Sequence, residues 1–117
     1  MEDVRARDAA AVKWIDGGAL GERATLVQFS SAFCQPCRAT RRTLGEVSAM
    51  VEGVAHIEID AEEHLALVRE LDVRATPTVF VLDARGRIVR RATGQPRRAD
   101  VIAALGEAVD ASPGPSA

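Results

Sequence analysis

The stretch Val27-Gln28-Phe29-Ser30-Ser31-Ala32-Phe33-Cys34-Gln35-Pro36-Cys37 decides how this chain is read. Its first part continues the short, mostly apolar run Ala24–Ser30, which carries β-branched residues and suits a central strand covered on both faces. Gln28 is the polar interior residue of that run. Its last part opens a helical pattern. Pro36 fits a first turn, where its missing N–H costs nothing, and Leu44, Val47 and Val51 give the following residues one apolar face. Cys34 and Cys37 are the only cysteines of the chain. Two thiols three positions apart at a strand-to-helix junction can close a disulfide and stay exposed enough to exchange it.

Outward from this junction the pattern alternates. Asp8–Gly17 predicts a short helix ended by Gly17-Gly18. The helix after the cysteines runs from Pro36 to about Glu52, with Gly53 as its C-cap. Val54–Ile59 predicts a second strand. Asp60-Ala61-Glu62-Glu63 resembles a capping box with Asp in place of Ser or Thr, ahead of a helix marked by Leu65, Val68 and Leu71. Thr78–Leu82 and Ile88–Thr93, joined by Asp83–Gly86, predict an antiparallel hairpin. Pro96 opens a last helix, with Val101, Ile102, Leu105 and Val109 facing inward. The order α–β–α–β–α–β–β–α predicts an α/β domain: a mixed sheet of four strands with helices on both faces. Residues 4–6 would add a fifth strand at an edge. The domain spans residues 9–110, between a loose charged segment, 1–8, and a flexible tail, 111–117.

Composition narrows the function. The 117 residues suffice for one domain, and the 47% of hydrophobic residues suffice for one core. A net charge of −2 gives no reason to expect a nucleic-acid partner, and with no Tyr and a single Trp, Trp14, no aromatic stacking platform for one is expected. Trp14 reads as an anchor of the first helix. No apolar run approaches the ~18 residues of a membrane span. The absence of a targeting signal points to the cytoplasm, although a removed N-terminal anchor would leave the same sequence.

The cysteine pair has rival uses. Zinc would need Cys34, Cys37, His56 and His64, but the histidines stand wider apart than the usual spacing of such ligands. Covalent haem attachment needs a His where Arg38 stands, and an iron–sulfur cluster wants more cysteines. A structural bond closing so small a loop would remove little unfolded-state entropy. Dithiol–disulfide exchange uses the position best. A helix N-terminus stabilises a thiolate, so Cys34, just ahead of the helix, is the expected nucleophile. Cys37, within the first turn, is the expected resolving thiol. No cofactor or metal is needed for that exchange. Phe33 is expected to cap the apolar rim beside Cys34. Arg38, Arg41 and Arg42 would either form a solvated helix face or hold Cys34 as a thiolate and select acidic partners. His64 reads as exposed.

These residues resemble the thioredoxin family over about residues 9–110. The likeness rests on Val27–Cys37, on Ile57–Asp60, on Ala75-Thr76-Pro77-Thr78 before a strand, and on Asp83–Gly86 and Gly94. It implies a thioredoxin fold and a protein-disulfide oxidoreductase, a monomer working on protein disulfides and re-reduced by a thioredoxin-reductase-like enzyme. It implies that the Thr76–Pro77 bond is cis and packs against the cysteines. It also implies that the Thr76 backbone binds a substrate chain as an added strand, and that Gly94 leaves room beside the same groove. The departures are specific. Gln28 stands where the family usually buries an Asp, His56 where a Lys usually neighbours it, Ser30 and Phe33 where it usually has Trp, Gln35 where Gly is common, and Arg42 where a helix proline is usual. Gln28 and His56 are therefore expected to face each other beneath Cys37, with His56 either a proton acceptor or an ordinary hydrogen-bonded strand residue. Two other functions fit the same residues: a dedicated, even membrane-tethered, thiol relay with one partner, and a binding module that uses the Thr76 groove without turnover.

Overall fold

The computed structural model describes residues 2–3 and 20–111. The expected helix at Asp8–Gly17, the edge strand at residues 4–6, Trp14 and residues 112–117 lie outside them. The described elements are β1 (Glu2–Asp3), β2 (Ala24–Ser30), α1 (Gln35–Met50), β3 (Val54–Asp60), a 3₁₀ turn (Ala61–Glu63), α2 (Leu65–Glu70), β4 (Thr78–Asp83), β5 (Ile88–Thr93) and α3 (Arg98–Ala111). The strands form one sheet in the order β1-β5-β4-β2-β3. β2 runs parallel to β3 and antiparallel to β4, and β4 pairs antiparallel with β5. A fifth strand exists, but it is Glu2–Asp3, paired with Arg91 and Arg90 of β5, inside the segment expected to be loose. An unpaired strand edge leaves rows of N–H and C=O groups open, and β1 covers part of that edge.

Every residue of β2 and β4 is buried. The strand period of two divides their side chains between two cores. Ala24, Leu26, Val79 and Val81 meet Leu44 and Val47 of α1 and Val101, Ala104, Leu105 and Ala108 of α3. Val27, Phe29, Phe80 and Leu82 meet Leu71, Val73 and Ile88 on the opposite face. There the Phe29 and Phe80 rings pack edge to face at 5.7 Å, and the Arg91 guanidinium lies 4.9 Å from the Phe80 ring centre. Each fully buried side chain of this size contributes about 1.5–3 kcal/mol of transfer free energy.

The boundaries differ from the sequence reading in instructive places. α1 ends at Met50 with Val51 as its cap, and Gly53, at φ +81°, turns the chain into β3. A Cβ on Gly53 would press on the Arg23 side chain, and the Arg23 backbone N–H donates to the Gly53 carbonyl at 2.8 Å. Asp60 caps the short 3₁₀ turn through the Glu62 N–H rather than opening a long helix. α3 begins at Arg98, two residues after Pro96. Its buried stripe is Val101, Ala104, Leu105 and Ala108, a helical spacing that leaves Ile102 42% exposed instead of inward. The hairpin turn is held by Asp83, whose Oδ1 accepts the Arg85 and Arg87 N–H groups, each at 2.9 Å.

Candidate active site

The cysteine loop leaves the sheet at the C-terminal end of β2. β4 runs antiparallel beside it, with Thr78 opposite Phe29, so the segment before β4 arrives at the same place. The register therefore brings Thr76 to Cys34 across 42 positions of sequence. The Thr76–Pro77 bond is cis. The Thr76 carbonyl oxygen lies 3.8 Å from Cys34 Sγ, and the Thr76 hydroxyl shares a hydrogen bond of 2.6 Å with Ser31. Gly94 joins the same loop by donating its N–H to the Pro77 carbonyl at 2.8 Å. A Cβ there would meet nothing, so the space expected at Gly94 is open, while its φ of +87° is what favours glycine.

Cys34 is the N-cap of α1, and its Sγ accepts the Cys37 N–H at 3.1 Å. The two sulfurs are joined as a disulfide. Cys34 is partly exposed and Cys37 is buried. The helix N-terminus thus faces one accessible sulfur and covers the other, the asymmetry that exchange chemistry requires. Pro36 sits exposed in the first turn. Phe33 is 99% exposed with φ +58°, so the fold turns its ring fully outward next to Cys34. Gln35 is exposed and accepts from Arg38 Nη2 at 2.9 Å. Arg41 belongs to a different partner than the thiolate the sequence offered it: it binds Glu58 through Nε and Nη2, both at 2.7 Å. Arg42 is exposed.

Beneath Cys37 the expected meeting of Gln28 and His56 takes place. Gln28 Nε2 donates to the Cys37 carbonyl at 2.7 Å and to Ser30 Oγ at 3.0 Å, and its Oε1 lies 3.4 Å from His56 Nε2. With the amide oxygen on that side, His56 must carry its proton on Nε2 to make the contact. That nitrogen donates toward Gln28 and offers no lone pair beneath Cys37, so the geometry favours the strand-residue role over the proton acceptor. Burial lowers the His56 pKa from its ordinary 6.5; the Glu58 carboxylate opposes this and Arg41 adds to it.

Sequence reasoning missed Ser30, Glu58 and the Arg41 pair as one unit. Ser30 Oγ donates to Glu58 Oε2 at 2.7 Å. The Arg41 hydrogen bond, foremost, holds the Glu58 carboxyl below its ordinary range, with help from Ser30 and against desolvation. The parallel register places Gln28 opposite Glu58, and that register is the signal that would have found them. His64 is exposed, and its Nδ1 meets the Asp60 carbonyl at 3.0 Å. Among the described residues no group of three His, Cys, Asp or Glu is gathered for a metal.

A disulfide held this way, at one helix start and against a cis-proline loop, defines a site for thiol–disulfide chemistry on an α/β sheet. The chain belongs to the thioredoxin-like domain family, whose model matches residues 15–109. A thioredoxin of Aspergillus fumigatus is 36% identical over 62 residues, 53% of this chain and 56% of that protein. Thioredoxin H5 of Oryza sativa subsp. japonica is 34% identical over 60 residues, 51% of this chain and 44% of that protein. The chain thus spans about half the length of these curated relatives. Among solved structures, the thioredoxin NaTrxh of Nicotiana alata superimposes with a TM-score of 0.65 at 24% identity, covering 74% of each chain. Thioredoxin f of spinach chloroplast does so with a TM-score of 0.65 at 22% identity, covering 86% of this chain and 81% of that one. At these identities the superpositions show the fold.

Proposed function

We propose that this chain is a thiol–disulfide oxidoreductase that reduces protein disulfides through Cys34 and Cys37. The observation that carries the reading is the asymmetry of the pair: Cys34 capping α1 beside the Thr76 carbonyl, Cys37 buried behind it. Reduced Cys34, stabilised as a thiolate by the helix N-terminus, attacks a substrate disulfide and releases one substrate thiolate. Cys37 then attacks Cys34, and the second substrate sulfur leaves. The substrate gains two electrons, and the pair becomes the disulfide seen here. The Thr76 backbone and Gly94 border the groove where an extended substrate chain would lie, with Phe33 on its rim. An external disulfide reductase restores the dithiol. No helix among the described residues is long and apolar enough to cross a membrane, and we place the activity in the cytoplasm on the sequence reading alone.

A second reading, a relay dedicated to one partner, is favoured by the neutral Gln28 under the resolving cysteine. One experiment addresses both. The Cys34/Cys37 couple is equilibrated in a defined thiol redox buffer, and a Cys37→Ser variant traps mixed disulfides. A reversible two-electron couple near ~−270 mV with many trapped proteins supports the reductase; a couple near ~−120 mV turns the reading to an oxidant. One dominant adduct supports the relay. The absence of any reversible couple sinks both.

A further inference from the structure

The hydrogen bonds beneath Cys37 close a circuit. From the Cys37 carbonyl it runs to Gln28 Nε2 at 2.7 Å, from the same nitrogen to Ser30 Oγ at 3.0 Å, and on to Glu58 at 2.7 Å. Glu58 is gripped by Arg41 through two contacts of 2.7 Å. Arg41 stands one turn after Cys37 on α1, so the helix itself completes the ring. Every direction in the ring is fixed. A guanidinium only donates, and the carboxylate it holds only accepts. Ser30 must therefore give its single proton to Glu58 and receive one from Gln28. The Cys37 carbonyl also only accepts, so the second amide proton goes there. The bonds at the charged end are the strong ones, because both partners are ionised and the fork is bidentate. Two points of one helical turn, Cys37 and Arg41, are in this way tied to β2 and β3. Cys34 stands outside the ring.

We propose that Glu58, acting through Ser30 and Gln28, is a positioning residue for the second half of the exchange. It fixes the turn of α1 that carries Cys37, so that the Cys37 sulfur is aimed at the mixed disulfide, and it touches neither sulfur. The inference rests on the exchange reading above. In the step concerned, the Cys37 thiol loses its proton to water and its sulfur attacks Cys34 Sγ. The bond between Cys34 and the substrate sulfur breaks, the Cys34–Cys37 bond forms, and the departing substrate thiolate takes a proton from water. The first attack, by Cys34, needs only the helix N-terminus and an accessible sulfur, and neither belongs to the ring.

The two halves separate in one stopped-flow trace. The fully reduced chain is mixed with a chromogenic aromatic disulfide, which releases one coloured thiol when Cys34 attacks and a second when Cys37 resolves the adduct. Ser30→Ala cuts the ring at its centre, and Glu58→Gln weakens it at the exposed end, where folding is least at risk. Both are expected to slow the second release about tenfold while the first stays within about twofold, and Ser30→Thr, which keeps the hydroxyl, is expected to restore it. A second phase that is unchanged in both variants overturns the inference. So does an equal slowing of both phases together with a lowered melting temperature, which is the mark of a merely structural role. If the unaltered protein releases no coloured thiol at all, the exchange reading itself fails and the inference falls with it.

Discussion

Strands β2 and β3 run parallel and in register, Gln28 opposite Glu58 and Ser30 opposite Asp60, yet their surroundings are opposite. β2 is buried throughout, between the two cores, whereas β3 lies at the edge of the sheet and is half exposed. A polar side chain on β2 must find its partners inside the protein, because an unpaired buried amide or hydroxyl costs a few kcal/mol. Gln28 and Ser30 meet that demand by handing their hydrogen bonds outward to β3 and α1. A charged side chain on β3 needs no such rescue, since Glu58 keeps contact with water while Arg41 holds it. The lesson is that the edge strand supplies charge to a site that the central strand could not hold in ionised form.

This contrast can be broken at its strongest point by truncating the core. Phe29→Ala on β2 is expected to lower stability by about 3–5 kcal/mol in urea unfolding. Ile59→Ala on β3, facing the same core but already partly in water, is expected to cost about 1–2 kcal/mol. Equal losses would mean that β3 is no edge strand in solution.

The next test asks whether charge is tolerated only on β3. Gln28→Glu keeps the shape, removes one donor and buries a carboxyl close to Glu58. Its pKa should rise, because burial and a neighbouring carboxylate both disfavour its ionised form. A carboxyl whose folded pKa is raised loses its stability contribution as pH rises. The variant should therefore be about 2–4 kcal/mol less stable than the parent at about pH 8 and closer to it at about pH 5. A gap that does not change with pH would show that the site under Cys37 is wetter than its burial implies.

The smallest effect concerns His56. Its pKa is lowered in the fold, so the unfolded chain takes up a proton first as pH falls through its ordinary 6.5. Its contribution is full above that value and declines as pH drops toward the folded value. Glu58, also lowered, adds a loss of the same sign below 4.5. The melting temperature should fall modestly between about pH 7 and about pH 5, and His56→Gln should flatten that part of the curve. The same variant should leave the pH–rate profile of exchange unchanged; a lost limb in that profile would return His56 to the proton-acceptor role.

Much of the fold was legible because the signals were local. The apolar run at Ala24–Ser30, the Asp83–Gly86 turn and the Leu44–Val47 stripe each carry their own period or turn chemistry, and each formed the predicted element. Ile102 misled, because helical spacing names a stripe only to within one residue; Val101 and Leu105 are buried as expected, and packing against α1 and the sheet completed the stripe with Ala104 and Ala108 instead of Ile102. The short strand at Glu2–Asp3 was illegible, since two polar residues show no alternation and pair only because β5 offers an open edge.

The sequence alone determined which reactive groups this chain carries: two cysteines spaced to bond, a proline to open the helix, and a Thr-Pro pair ahead of a strand. It did so because reactivity resides in residue types and short spacings. Only the tertiary structure decided who stands beside them. The parallel register of β2 and β3 brought Glu58 to Ser30, and the placement of α1 on the sheet brought Arg41 to Glu58. Those contacts join residues 17 and 28 positions apart. No local pattern encodes such a meeting, because it follows from how the strands align and where α1 settles on the sheet.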